Sequence, residues 1–125
     1  MQFDRSFKFV INDDEWTCFL ITEEEGIELD EIINGDEADT ESFVGMVTFA
    51  PRCLYLAESG LEKSTVAHEL FHIVVYYLHL NSADLDTSQF EEVLAVWIEN
   101  EVDKFIRTRD KLYEKFKTLE NSGKK

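Results

Sequence analysis

Residues 66–77 read VAHELFHIVVYY, and the rest of the chain is best read outward from them. The stretch holds two of the three histidines in 125 residues, His68 and His72, with Glu69 directly after the first. Upstream, Ser59 followed by Glu62 fits a capping box, which predicts a helix from about Gly60 to Leu80. On a helix, positions i and i+4 stack one above the other on a single face. Both imidazoles can then aim a ring nitrogen at one metal ion about 2.0–2.1 Å away. Glu69 is turned about 100° from His68, so its carboxylate reaches a water on the metal rather than the metal itself. Zinc brings the pKa of such a water near 7, and a glutamate can take its proton as the water attacks a carbonyl. The H-E-x-x-H pattern thus supplies two ligands and a general base, Glu69, within little more than one turn. The competing reading is plain: two polar side chains at the edge of an amphipathic helix.

A catalytic zinc site usually has three protein ligands. His79 lies seven residues after His72, which is about 10.5 Å along a helix and too far to share the ion. The better candidates stand in SQFEEVLAVWIEN, residues 88–100. Ser88 and Glu91 fit a second capping box, opening a long helix towards Leu119 with apolar residues at Phe90, Val93, Trp97, Phe105, Leu112, Phe116 and Leu119. Glu91 then has a local task at the helix start. Glu92 is free of it, and Ala95 on its face would let a neighbouring helix come close. The expected metal ligands are therefore His68, His72 and Glu92, with Glu92 preferred to Glu91.

The preceding half reads as strands. Phe7, Phe9 and Ile11 alternate, NDD makes a turn, and Trp16, Cys18 and Leu20 alternate again, so a hairpin is expected. FVGMVTFAPRCLYLA gives two more β runs parted by Pro51, the only proline. Between them, residues 22–42 hold ten acidic residues and no basic one, and are expected as a solvated loop with at most one short helix. Strands first and helices second predict an α+β fold: a small antiparallel sheet packed on two main helices. The expected organisation is one domain over residues 1–120, mainly β with the acidic loop up to residue 57 and helical with the metal site from 58, then a disordered tail at 121–125.

Composition narrows the function. A net charge of −15, from 12 Lys and Arg against 27 Asp and Glu, repels nucleic-acid phosphates and suits a basic peptide or protein as substrate or partner. Cys18 and Cys53 have no C-x-x-C spacing and are expected as small buried hydrophobes in a reducing compartment. No run approaches a membrane span and the N-terminal stretch does not read as a signal peptide, so the expected location is the cytoplasm. The oligomeric state is open.

STVAHELFHIVV followed by EEVLAVWIENEVDKF, within residues 43–107, resembles the small H-E-x-x-H proteins of tailed bacteriophages. These look like minimal zincins of the glutamate-ligand (gluzincin) type, similar to the zinc peptidase-like domains of phage and mobile-element regulators. The resemblance implies a host-cytoplasmic, zinc-dependent metallopeptidase-like hydrolase. It places H-E-x-x-H on His68, Glu69 and His72, and a downstream E-x-x-A on Glu92 and Ala95. It also reaches back to Gly45 and to RCLYLA, residues 52–57, which it implies as the sheet edge over the cleft. Two departures stand out. Val96 replaces the aromatic residue that relatives often carry after the alanine, and the nearest groups able to stabilise an oxyanion are Tyr76, Tyr77 and His79. Two other functions remain in contention: an interaction protein with a structural zinc, and an acidic decoy for a basic host protein.

Overall fold

A computed structural model describes residues 3–81 and 85–122, excepting the side chains of residues 80 and 81. It shows an α+β fold. Strand β1 (Ser6–Ile11) and strand β2 (Asp14–Ile21) form the expected hairpin. Asn12 and Asp13 turn it with φ of 52° and 67°, the left-handed pair that matches the twist of a two-residue hairpin and that Asn and Asp tolerate best. Helix α1 (Glu23–Asn34) follows, then strand β3 (Gly45–Phe49), strand β4 (Arg52–Ala57), helix α2 (Lys63–Asn81) and helix α3 (Thr87–Ser122).

The sheet runs β1-β2-β4-β3 and is mixed, which corrects the antiparallel expectation: β2 and β4 are parallel. The cause is the acidic segment. It is not chiefly a loop but contains the twelve-residue helix α1, which carries the chain across the sheet before β3 and β4 turn back as a hairpin. Thr22 and Glu25 close a reciprocal capping box, with bonds of 3.1 and 2.9 Å, and Glu23, Glu24 and Glu25 suit the positive end of the helix dipole. Only Leu29 and Gly26 of α1 are buried. Phe43 lies so close over Gly26 that a β-carbon there would clash with its ring.

Alternation then sorts the side chains. Cys18 and Leu20 of β2 and Leu54 and Leu56 of β4 meet Val66 and Leu70 of α2 and Leu112 and Phe116 of α3. Ile21, Cys53, Tyr55 and Ala57 face the other way, with Leu29 and Phe43. Cys18 and Cys53 are therefore free, buried and on opposite faces of the sheet. Burial, and next the neighbouring Cys53, push the Cys18 thiol up to about 12. Among the described residues no helix is long and apolar enough to cross a membrane.

The helices start differently from their expected boxes. Ser59 sits in a single 3-10 turn, and α2 begins at Lys63. Asp86 and Gln89, not Ser88 and Glu91, cap α3: each backbone N–H donates to the other's side chain, at 2.8 and 2.9 Å. Between α2 and α3, residues 82–84 lie outside the described residues, as do 123–125 of the expected tail; Asn121 and Ser122 still belong to α3.

Candidate metal centre

The H-E-x-x-H residues lie in the middle of α2, as their spacing requires. Ile73 and Val66, fully buried, and Leu70, 1% exposed, hold one face of α2 against the sheet, and that anchoring turns His68 and His72 outward, to the side where β3 passes. The two rings meet edge to face, with Nε2 atoms 3.3 Å apart. Two ligands held about 2.0–2.1 Å from one tetrahedral zinc stand about 3.3–3.4 Å from each other. The separation of the pair therefore matches that of two ligands on one zinc ion. The same distance also suits one imidazole donating a hydrogen bond to the other.

Glu69 is the one buried charged residue among those described, 7% exposed. Its Oε1 lies 3.9 Å from His68 Nε2, and the ligand atoms of His68, Glu69 and His72 all fall within 4.8 Å of one another. At 3.9 Å the carboxylate lies somewhat beyond the separation of two ligands on one tetrahedral zinc. Burial raises its pKa above the ordinary carboxylate value, while His72 and then His68 act to lower it.

Strand β3 forms the opposite wall. Gly45, Met46, Val47 and Phe49 line a cleft with His68, Glu69, His72 and Val75. Here RCLYLA must be reassigned. It is β4, an inner strand paired on both sides and buried from Cys53 to Ala57, whereas β3 is the edge beside the histidines. The near-continuous apolar run CLYLA was the available signal, since strands covered on both faces read that way. Gly45 allows the close approach of strand and helix: a β-carbon there would lie 3.0 Å from Glu69 Cγ, 2.9 Å from Leu56 Cδ2 and 3.2 Å from the Tyr55 carbonyl. Gly45→Ala is expected to displace the Glu69 carboxylate and to lower any hydrolytic rate by at least about tenfold, because small misplacements at a reacting centre are costly. Any metal uptake should be retained, and parallel assays of rate and bound metal would separate the two effects.

No protein-family model, curated protein or solved structure matches this chain.

The remaining expected residues lie elsewhere. Phe90 stacks on His79, with ring centroids 4.1 Å apart, so that face of α3 meets the last turns of α2. Glu92, two residues on, is turned about 200° away and is exposed. The structure thus brings His68, Glu69 and His72 together and leaves Glu92 outside the group. Glu91 is exposed as well. Tyr77 is half-buried and engaged by β2: it accepts from Trp16 Nε1 at 3.0 Å and donates to Asp14 at 2.7 Å. Tyr76 stacks on Phe49 at 4.2 Å. Of the three expected oxyanion candidates, Tyr77 is thus committed to Trp16 and Asp14 and His79 to Phe90, while the Tyr76 ring lies against Phe49, a residue of the cleft.

Proposed function

We propose that the protein is a zinc-dependent, metallopeptidase-like hydrolase whose centre is His68, His72 and Glu69. The observation that carries this reading is the 3.3 Å separation of the two Nε2 atoms beside a buried carboxylate. Zinc held by the imidazoles would supply the positive charge that eases deprotonation of water and polarises a carbonyl. The rest falls to the chain's own groups. Glu69 accepts a proton from a water in the cleft and returns it to the leaving amine. The free edge of β3 offers unpaired backbone groups to an extended peptide, in strand addition, and the net charge of −15 favours a basic one. The kinship suggested by the sequence, with H-E-x-x-H proteins of tailed phages, belongs to this proposal.

A purely structural zinc is less well supported. Both histidines come from one helix whose inner face is already packed, so the ion would fasten no separate elements. The test is the metal content of untagged protein by elemental mass spectrometry, with thermal melts before and after chelation. About one zinc per chain is expected, lost in His72→Ala, with a melting temperature that changes little on chelation, unlike a metal-dependent fold. Glu92→Gln is expected to keep its zinc, since Glu92 is exposed and stands outside the group of His68, Glu69 and His72. Loss of zinc in that variant would mean that α3 turns to complete the site. A folded wild type that takes up no zinc would end the metalloenzyme reading.

A further inference from the structure

Helix α3 is 36 residues long, about 54 Å, and only part of it is covered. Its C-terminal half buries Leu112 and Phe116 in the core, and Phe105 and Trp97 pack towards α2. Beside this packed face, Ile98, Val102 and Ile106 are 48%, 40% and 39% exposed. Their spacing of four places them in one ridge, each a turn above the last. Local helix formation needs no β-branched apolar residues there, and nothing among the described residues covers them. An exposed apolar ridge of this kind marks a surface for association.

The charges on α3 indicate what covers it. Residues 87–103 carry five carboxylates and no Lys or Arg; residues 104–122 carry six Lys and Arg and three carboxylates. The sign changes where the apolar ridge is centred. A second copy laid parallel would set acidic half against acidic half. Laid antiparallel, it sets each acidic half against a basic one. Because the net charge of −15 opposes association in general, the arrangement that matches opposite signs is the one available to this helix.

We infer that α3 is a self-association surface, pairing antiparallel with α3 of a second copy about a two-fold axis at Val102. Such an interface is isologous, with the same residues contributed by both chains. The axis sets Val102 against the partner's Val102, and Ile98 against the partner's Ile106. The surface is distinct from the metal centre, and the inference does not depend on that assignment.

Single-cysteine crosslinking tests the register directly, because Cys18 and Cys53 are buried and the wild type should form no intermolecular bond. Val102→Cys is expected to give a disulfide-linked dimer under mild oxidation. Ile98→Cys alone is expected to give little, and an equal mixture of Ile98→Cys with Ile106→Cys to give the mixed dimer. Sedimentation velocity supplies the second readout: a dimer for wild type at about 100 μM, and a monomer for Val102→Glu. Val96→Glu serves as control, for Val96 is 54% exposed but lies about 240° round the helix from Val102; this variant should stay dimeric. The inference is overturned by a monomeric wild type at that concentration, or by Val96→Glu dissociating as Val102→Glu does. Self-crosslinking of Ile98→Cys as efficient as that of Val102→Cys would overturn it too.

Discussion

Glu69→Gln is expected to cut peptide hydrolysis by about 10²–10⁴-fold, the usual contribution of a positioned general base, while the protein stays folded and keeps its metal. The argument is local. The amide has the shape of the carboxylate but cannot accept a proton from water. The imidazole nitrogens that face each other at 3.3 Å are untouched by the change. Burial also disfavours the charge on Glu69, so its neutral isostere should leave stability unchanged or slightly higher. The assay is cleavage of a mixed peptide library read by mass spectrometry, beside metal content on the same preparations. A metal-loaded variant that cleaves at the wild-type rate would remove Glu69 from the role of base.

The largest expected loss of stability comes from Phe116→Ala, about 3–5 kcal/mol for a buried aromatic truncated in a packed core. Phe116 is fully buried, meets Phe7 edge to face at 5.0 Å and joins Cys18, Leu20, Leu54 and Leu112 in one cluster. It pins the second half of α3 to the sheet. Against a total of about 5–15 kcal/mol for a domain, the loss should move the urea midpoint far down. Val96→Ala, at an exposed position, should shift it by no more than about 0.5 kcal/mol. Equal effects of the two would contradict the packing described.

Much of this architecture could be read from residue patterns. The β1–β2 hairpin announced itself through alternation on both sides of NDD, and both long helices fell within a few residues of their expected limits. The pair His68 and His72 was legible because i and i+4 must share a helical face. The parallel pairing of β2 and β4 was not, because it depends on α1, which lies in a segment of ten acidic residues and buries a face of only two residues, Gly26 and Leu29. Glu92 illustrates a different limit. Spacing places a residue along a helix, but which way it points depends on how the helix packs, and here the stacking of Phe90 on His79 turns Glu92 outward. The start of α3 differs from expectation in a similar way: Asp86 with Gln89 forms the cap, where Ser88 with Glu91 was expected.

The parallel centre of the sheet has a kinetic consequence. Cys18 pairs with Leu54, so the two middle strands cannot zip together until some three dozen intervening residues have been drawn into a closed loop, a non-local contact of the kind that slows folding. That loop carries the densest negative charge in the chain. Its closure works against self-repulsion that salt screens, which makes the speed with which this protein finds its native state, more than the state itself, sensitive to the ionic strength around it.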